Sequence, residues 1–547
     1  MSEPNGINNS SRTALKPLLY ALLLAAGIGI GMRVNQSSKD KFSQIFDIIQ
    51  RDYVDSTRTD VLEESTIEYL LSQLDPHSSY IAPQFTEINE QQIRGNYEGL
   101  GIEYISFRDT PCVYNVYAGS PAEKAGIKPG DRLLMAGNVK LTDSLTYKEI
   151  RSAMTGEANS IIALKIYRRN TNSFLNFTVS RGNIVLNSSE VYYMVNNTLG
   201  YIQIERFSNN THKQFMAALE QLRQRGMKDL LIDLRNNGGG LLYEAVAIAN
   251  EFLQKDDIIS YTSGYRRKRH DFIADGKGTF KDGKVVLLIN HNTASASEIL
   301  AGALQDNDRA VIIGNRSFGK GLVQEPFKLS DGSTLRLTIS RYYTPSGRSI
   351  QKSYDKNLER YRNEIFRRDN LKDTLNPVLD SSIKKEFFTR NGRLLTSGGG
   401  IRPDITLRDT INDSTEIEQM MPGLFYSRMF DIYLMDYMSK DLEYARQHYK
   451  DVMSFQMRYN VDNKEVIRFI KVASSIPYLR QLKYSIKTAD IIKKHLKAAM
   501  AYRLYGEKGK SQIINREEGV FSKTFEVLKN YNRILNIGVK KSRRFDY

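Results

Sequence analysis

Ser295 and Lys320 are the two side chains whose types and surroundings best suit covalent chemistry. The serine lies between a short apolar run, residues 285–289, and an apolar-periodic stretch, residues 299–304. This pattern predicts a buried strand followed by a helix. Backbone N–H groups at a helix start have no intrahelical partner and carry partial positive charge. An oxyanion that forms beside Ser295 would therefore find hydrogen-bond donors already in place.

Lys320 lies between two glycines in the stretch FGKGLVQ. A serine nucleophile needs a base within hydrogen-bond reach, and lysine can serve only when it is neutral. Neutrality at pH 7 in water would cost about 4.6 kcal/mol, at roughly 1.36 kcal/mol per pKa unit. Burial can lower a lysine pKa by about 3 to 5 units, and the residues next to Lys320 carry no acid. Gln324, four positions on, shares a strand face with Lys320, so its amide could orient the amine.

A third feature is the sequence DLRNNGGG, residues 233–240, at the end of a predicted strand. Consecutive glycines let the backbone come close to a ligand. The spacing GxxxxGK[ST] of a nucleotide-binding loop is absent, so nucleotide binding is not favoured. We expect Asp233 and Arg235 to hold this loop rather than to act in catalysis.

Six stretches together resemble the carboxyl-terminal processing peptidases, also called tail-specific proteases, over about residues 42–407. They are TASASEI, FGKGLVQ, DLRNNGGG, LDPHSSY, YYTPSGRSIQ and GIRPDI. The resemblance implies a Ser–Lys dyad of Ser295 and Lys320, with Gln324 in support. It also implies an oxyanion hole formed by the N–H groups of Ala296 and Gly240, with Gly239 as the alternative donor. No metal or cofactor is expected.

Other catalytic arrangements are less consistent with the sequence. Ser297 lies two positions further into the predicted helix, where its hydroxyl is expected to cap backbone. A triad of Ser295 with His291 and either Asp306 or Asp308 would require a sharp backbone reversal after the strand. His77, in LDPHSSY, is expected to help fold a turn. The six histidines show no HExxH or comparable metal-ligand pairing.

Residues 95–181 are predicted to form a PDZ domain. SPAEKAGIKPGDRLL, residues 120–134, is the most specific part of that match. The loop Gly99, Leu100, Gly101 and Ile102 resembles the loop with which PDZ domains hold a peptide carboxylate, and the next strand can accept a peptide as an added strand. Residues 145–154 are predicted to form the helix that closes the groove. Ile150 and Met154 on this helix are expected either as pocket floor or as plain core.

Cys112 is the one cysteine of the chain, so no intrachain disulfide framework exists, and it is expected to pack inside the domain. Residues 17–32 form an almost unbroken apolar run flanked by Arg12, Lys16 and Arg33. An uncleaved signal anchor is favoured over a cleaved signal peptide, with a buried soluble helix as the third alternative. The anchor would place most of the protein in the periplasm, attached to the inner membrane.

The fold class is predicted to be mixed α/β. In chain order we expect a cytoplasmic tip and anchor (1–37), an N-terminal helical segment (38–94), the PDZ domain (95–181), an α/β protease core with a mixed sheet (182–409) and a helical C-terminal domain (410–547). Residues 355–395 are charged and poorly patterned, which indicates an insertion or a mobile arm. The net charge is +16. The basic tail is expected to be a solvated face, because no nucleic-acid motif accompanies it.

The sequence predicts a serine endopeptidase of the cell envelope that binds protein C-terminal tails and cleaves at Ser295 through an acyl-enzyme. Tails ending in an apolar residue are expected to be preferred. Residues 410–547 could mediate self-association or the docking of an activating or adaptor protein. One alternative is a non-catalytic PDZ scaffold that keeps a protease fold. Such a scaffold would be expected to have lost a dyad residue, and both dyad residues are present in the sequence. Another is that the basic helical tail is the functional part and the protease is accessory.

Overall fold

The computed structural model describes residues 41–107, 110–142, 144–354, 357–368, 386–407 and 416–536 of the 547-residue chain. The chain divides into two compact units, Met1–Leu74 and Asp75–Tyr547. The predicted anchor, residues 17–32, lies outside the described residues. Within the described ranges, no helix has both the length and the apolar character needed to cross a bilayer.

The first unit contains two helices, α1 (Lys41–Asp52) and α2 (Thr59–Ser72). Apolar residues recur along both at helical spacing, which is why the sequence predicts them. The second unit begins with β1 (Ser79–Ile81) and α3 (Pro83–Arg94). α3 starts with a proline, whose fixed φ suits a first helical position, and it ends at Gly95 with a left-handed φ of 75°.

The predicted PDZ region forms a sheet in the order β3-β4-β5-β7-β8, with β6 paired to β5 and a separate pair formed by β2 and β9. Its elements are β2 (Asn96–Gly99), β3 (Ile102–Phe107), β4 (Thr110–Val116), α4 (Pro121–Ala125), β5 (Arg132–Ala136), β6 (Val139–Lys140), α5 (Tyr147–Met154), β7 (Ile161–Arg168), β8 (Ser173–Ser180) and β9 (Gly182–Val185). Ser120 caps α4, and a capping box of Thr146 and Glu149 starts α5. β3 is an edge strand and pairs with no strand on its outer side among the described residues.

The protease core contains a six-stranded mixed sheet in the order β10-β11-β12-β15-β16-β21. Its elements and those between them are β10 (Tyr192–Met194), β11 (Leu199–Gln203), α6 (Thr211–Gln224), β12 (Asp229–Asp233), α7 (Leu242–Asn250), β13 (Ile258–Ser263), β14 (His270–Ile273), β15 (Val285–Ile289), α8 (Ala296–Asp306), β16 (Val311–Gly314) and, near the end of the core, β21 (Ile405–Thr406). β10 runs antiparallel to β11, and the other neighbours are parallel. β15 is buried along its whole length because it lies mid-sheet, with helices packed on both faces.

A second sheet carries the lysine. It has the order β1-β18-β13-β14, and β17 (Leu322–Lys328) pairs with β18 (Thr334–Tyr343). The register between β17 and β18 shifts between Val323 and Gln324. Lys320 lies in the loop that joins β16 of the first sheet to β17 of the second, two residues before β17 begins.

The charged stretch that the sequence indicates as an insertion or a mobile arm contains regular structure where it is described. α9 (Leu358–Arg368) is followed by a hairpin of β19 (Phe387–Phe388) and β20 (Leu394–Leu395). Arg393 fixes the hairpin through ion pairs of 2.7 Å with Asp308 and 2.5 Å with Asp404. Asp308 lies 85 positions before Arg393, so local patterning gave no sign of this contact.

The C-terminal domain is helical, as predicted. Its helices are α10 (Glu416–Tyr426), α11 (Met429–Tyr437), α12 (Ser439–His448), α13 (Val452–Arg458), α14 (Asn463–Ala473), α15 (Ile486–Glu517), α16 (Val520–Lys529) and α17 (Tyr531–Leu535). The sequence indicates a long amphipathic segment over residues 425–438, and this segment is divided between two helices because Arg428 adopts a left-handed φ of 50°. α15 has a break at Gly506.

The helical domain packs against both of the other parts of the second unit. Asp436 is buried and pairs with Arg132 at 3.0 Å and Arg169 at 2.7 Å on the PDZ side. On the core side, the Tyr531 hydroxyl donates to the Arg309 carbonyl at 2.8 Å. Apolar side chains of α16 and α17 cover the face of the sheet that carries Val286 and Leu288. The C-terminal domain is therefore an integral wall of this unit.

Candidate active site

Ser295 lies at the junction of β15 and α8, in the residue that immediately precedes the helix. Its φ of 58° and ψ of −119° are rare for a residue with a side chain, and such strain is concentrated at functional sites. The Ser295 N–H donates to Glu298 Oε2 at 2.9 Å, and its carbonyl accepts from the Tyr342 hydroxyl at 3.1 Å. The Ser295 backbone is thus held on both sides.

Ser297 has a different environment. Its side chain is fully buried, and its hydroxyl donates to the Asn237 carbonyl at 3.0 Å. The expected backbone bond is therefore made to the glycine loop rather than to the helix. Ser297 serves to pack α8 against that loop.

Lys320 is partly buried, and its amine donates to Gln324 Oε1 at 2.8 Å. Burial lowers the pKa of Lys320, and the positive charge of Arg336 lowers it further, while Asp75 and Glu298 act in the opposite direction. No ion pair joins the amine to a carboxylate among the described residues. No hydrogen bond joins it to the Ser295 hydroxyl in the described conformation either.

Gln324 has a fixed amide orientation. Its Nε2 donates to the carbonyl of His77, so Oε1 must face Lys320. His77 lies in a tight turn in which Asp75 Oδ1 accepts from the N–H groups of His77 at 2.8 Å and Ser78 at 2.9 Å. The expected turn is present, and it also supplies the acceptor for the Gln324 amide. Nothing in the spacing of the sequence indicates this second role.

Glu298 connects the serine and the lysine, and sequence reasoning missed it. Its carboxylate is fully buried and accepts from Ser295 N at 2.9 Å, Lys320 N at 2.9 Å, Gly319 N at 2.8 Å and Ser317 Oγ at 2.5 Å. The pKa of Glu298 is raised to about 7, because the effect of burial outweighs that of the four donors, which act in the opposite direction. A Ser followed three residues later by a Glu is a capping-box pattern, and this was the available signal.

The glycine loop lies directly against the nucleophile. A Cβ placed on Gly239 would lie 2.7 Å from Ser295 Cβ and 2.9 Å from Ala296 N, so no larger residue fits at this position. The Gly239 N–H already donates to Asn237 Oδ1 at 2.9 Å. Within the described ranges, the N–H groups of Gly240 and Ala296 have no hydrogen-bond acceptor. Of the two glycines considered from the sequence, Gly240 is therefore the one with an available donor.

Asp233 and Arg235 hold the loop. Arg235 pairs with Asp233 at 2.6 Å and reaches into the C-terminal domain to pair with Glu518 at 3.1 Å. Tyr201 donates to the same Asp233 carboxylate at 2.7 Å. The glycine loop is therefore anchored to α15 and its C-terminal end, a link that the sequence does not indicate.

The alternative triad is not assembled. Asp306 forms a buried ion pair of 2.8 Å with Arg348, and Asp308 pairs with Arg393 at 2.7 Å. Neither carboxylate bonds to His291 among the described residues. The described part of the chain also contains no cluster of His, Cys, Asp and Glu suited to a metal ion.

The predicted peptide-binding loop borders a small cavity of about 250 Å³. Gly99, Leu100, Gly101 and Ile102 line it, together with Met154 and with aromatic and charged side chains that include Tyr104, Arg151 and Arg206. Ile150 does not line this cavity, so its position fits the second of the two roles expected for it, plain core. The side chain of Ile150 is 1% exposed and packs in the domain core. Cys112 is buried as well, as expected from the sequence. Met154, one turn after Ile150 on α5, is also buried, at 4% exposure, but it borders the cavity.

Comparisons with known proteins identify the families to which parts of this chain are similar. Residues 198–358 match Peptidase family S41, residues 112–168 match the PDZ domain, and residues 421–506 match a family of unknown function. The chain is 36% identical over 318 residues to a carboxy-terminal-processing protease of Bartonella bacilliformis. This match covers 57% of this chain and 72% of that protein. The chain is also 36% identical over 296 residues to a carboxyl-terminal-processing protease of Synechocystis sp., with 53% and 68% covered.

Among solved structures, a photosystem II D1 C-terminal processing protease is similar with a TM-score of 0.34 and 27% identity, over 57% of this chain and 89% of that one. The sequence relationship to the two curated proteases extends over most of their length. The chain therefore belongs to the carboxy-terminal-processing proteases of peptidase family S41, and it is a serine protease with a PDZ domain.

Proposed function

We propose that this protein is an endopeptidase of the cell envelope that captures the C-terminal tail of a protein in its PDZ groove and cleaves the polypeptide with a Ser295–Lys320 dyad. One observation carries the proposal. Glu298 Oε2 accepts the backbone N–H groups of both Ser295 and Lys320, so the two elements that bear the dyad are fixed to one buried oxygen.

The surroundings of Lys320 support its use as a base. Its amine bonds to a neutral amide rather than to a carboxylate, and burial lowers its pKa. A neutral amine has two hydrogens and one lone pair. Donation of one hydrogen to Gln324 Oε1 leaves the lone pair to receive the proton of the Ser295 hydroxyl. The proposal requires that Ser295 Oγ and Lys320 Nζ come within hydrogen-bond distance during catalysis, a bond that is not made in the described conformation.

The chemical steps follow from these roles. Ser295 Oγ attacks the substrate carbonyl while Lys320 takes the proton of the serine hydroxyl. The oxyanion that forms accepts hydrogen bonds from the N–H groups of Ala296 and Gly240. Lys320 then returns the proton to the leaving amine, which gives an acyl-enzyme on Ser295. A water molecule gives a proton to Lys320 and attacks the ester carbonyl, and Lys320 returns that proton to Ser295 Oγ as the bond between the acyl group and the serine breaks.

The tail is proposed to bind along β3. This strand has an open outer edge to which a peptide can add, and the loop at residues 99–102 begins at the point where a C-terminal carboxylate would lie. Met154 offers apolar surface at this end of the groove. Protein substrates with an exposed apolar C-terminal residue are therefore the proposed class.

The place of action and the role of the helical domain are also proposals. The apolar run of residues 17–32, with basic residues on both sides, supports attachment to the inner membrane and a periplasmic catalytic part. Residues 410–547 are proposed to serve self-association or the docking of an activating or adaptor protein. Mass spectrometry of the mature N-terminus, together with membrane fractionation, tests the anchor.

The central experiment compares cleavage of a folded protein that carries an exposed apolar tail by the wild type, Ser295→Ala and Lys320→Ala. Both variants should lose cleavage, while Lys328→Ala, which removes an exposed lysine from β17, should retain it. Equal cleavage by the wild type and Lys320→Ala would rule out the proposed Ser295–Lys320 dyad. Binding of the tail by the wild type without any cleavage would instead support a non-catalytic scaffold.

A further inference from the structure

α9 belongs to the charged stretch of residues 355–395 and approaches the active site. Tyr361 is its main contact and is 5% exposed. Its ring meets those of His77 and Phe318 edge to face, at centroid distances of 5.5 and 5.9 Å. Phe318 lies two residues before Lys320, so α9 packs on the loop that carries the lysine.

Lys352 clamps α9 to this loop. Its amine lies 4.0 Å from the Phe318 ring centroid and 4.1 Å from that of Tyr361, and it donates to the Tyr361 carbonyl at 2.8 Å. The side chain is buried, and buried cation–π contacts are the stronger kind. The Lys352 N–H also donates to the Gly319 carbonyl at 2.9 Å. The position of Tyr361 is thus determined by contacts with the residues next to Lys320.

The hydroxyl of Tyr361 begins a chain of hydrogen bonds that ends at Lys320. Gln351 Nε2, which can only donate, reaches the Tyr361 oxygen at 3.3 Å, and the hydroxyl hydrogen is left for His77 Nε2 at 2.8 Å. His77 is neutral at pH 7, because burial, followed by the nearby charge of Lys320, lowers its pKa to about 4. A neutral imidazole has one accepting nitrogen, which suits this arrangement.

The next two bonds connect His77 with the base. The His77 carbonyl accepts from Gln324 Nε2, and Gln324 Oε1 accepts from Lys320 Nζ at 2.8 Å. The orientation of the Gln324 amide matters for chemistry. A flipped amide would direct its NH₂ group at Lys320, where it would donate to the lone pair that must take the serine proton.

The geometry points to Tyr361 as a positioning residue for Lys320, which acts through His77 and Gln324 to keep the Gln324 amide turned with its oxygen toward the amine. This inference rests on the proposed dyad. It assigns to α9 a role in the speed of the chemical step and none in the capture of the tail, because the peptide-binding cavity is lined by other residues.

The test is Tyr361→Phe, which removes the hydroxyl and keeps the ring that packs on Lys352. We expect kcat to fall about tenfold with KM unchanged, since misplaced catalytic groups slow the chemical step and the tail still binds. Labelling of Ser295 by a fluorophosphonate probe should slow in parallel. The matched control is Tyr354→Phe, which removes a hydroxyl from the same segment and should leave both rates as in the wild type.

A double-mutant cycle separates positioning from general loosening. In a Gln324→Ala background, Tyr361→Phe should cause no further loss of kcat, because its route to Lys320 is already cut. His77→Ala offers a second background with the same expectation. Wild-type kcat in Tyr361→Phe, a change confined to KM, or losses that multiply in both backgrounds would overturn the inference.

The same assays include Lys320→Ala. If Lys320→Ala is inactive and Tyr361→Phe is normal, only the role of Tyr361 fails. If Lys320→Ala is as active as the wild type, the proposed dyad itself fails.

Discussion

Ser295 and Lys320 donate their backbone N–H groups to the same atom, Oε2 of Glu298, at 2.9 Å each. The serine belongs to the start of α8 and the lysine to the loop before β17, so one buried carboxylate sets the spacing of two elements. Tyr342 forms a second link between the same two residues through their carbonyl groups. Its hydroxyl lies 2.6 Å from the Lys320 carbonyl oxygen and 3.1 Å from that of Ser295. The dyad residues are therefore tied together through their backbones.

Glu298→Gln should reduce kcat at least about 100-fold, in line with the cost of small misplacements of catalytic groups. The substituted amide would direct an NH₂ group at donors that now bond to a carboxylate. Steady-state cleavage of a tail-bearing protein measures the effect. Glu325→Gln, at a partly exposed acid on β17, is the control and should cleave normally. Normal kcat in Glu298→Gln would show that the shared carboxylate does not set the dyad.

Tyr342→Phe should lower the free energy of unfolding by about 1–3 kcal/mol, because buried carbonyl groups lose a donor. It should also lower kcat, since the Lys320 loop and the turn at Ser295 lose their common contact. Chemical denaturation and tail cleavage report the two effects. Tyr343→Phe, one residue later and only partly buried, is expected to change neither. Unchanged stability in Tyr342→Phe would contradict the assigned role of the hydroxyl.

The pH profile of kcat/KM should rise with increasing pH and level off above the pKa of Lys320. The sign follows from the requirement for a neutral amine, and burial places that pKa below the ordinary lysine value. Arg336 lowers it further, so Arg336→Gln should move the rising limb to higher pH. Arg341→Gln, at an exposed position on the same strand, should leave the profile in place. A limb that moves to lower pH in Arg336→Gln would exclude Lys320 as its source.

Two positions on α5 should respond differently to truncation. Met154→Ala should weaken binding of an apolar-tailed peptide about five- to tenfold, since roughly 1.4 kcal/mol corresponds to a factor of ten. Ile150→Ala should instead lower the free energy of unfolding by about 2–5 kcal/mol, with tail affinity little changed in the folded protein. Calorimetric titration and thermal unfolding measure the two. Reversed behaviour would mean that Ile150, and not Met154, faces the peptide.

Local patterns predicted the elements that the site is built on. Residues 285–289 form a strand with the bounds that their apolar pattern indicates, because burial inside a sheet imposes that pattern directly. The helical ends were less well placed. The break at Arg428 was missed because a left-handed residue leaves little trace in the periodicity.

The sequence by itself determined which groups are present for chemistry. A serine before a helix, a lysine flanked by glycines and a triple-glycine loop are each recognisable within a few residues, since each depends on local backbone geometry. Tertiary structure decided what orients them: the Glu298 carboxylate, the His77 carbonyl and the Tyr361 hydroxyl. His77 and Tyr361 are separated by 284 positions. Contacts over such separations arise from the packing of whole elements, and no periodicity along the chain encodes them.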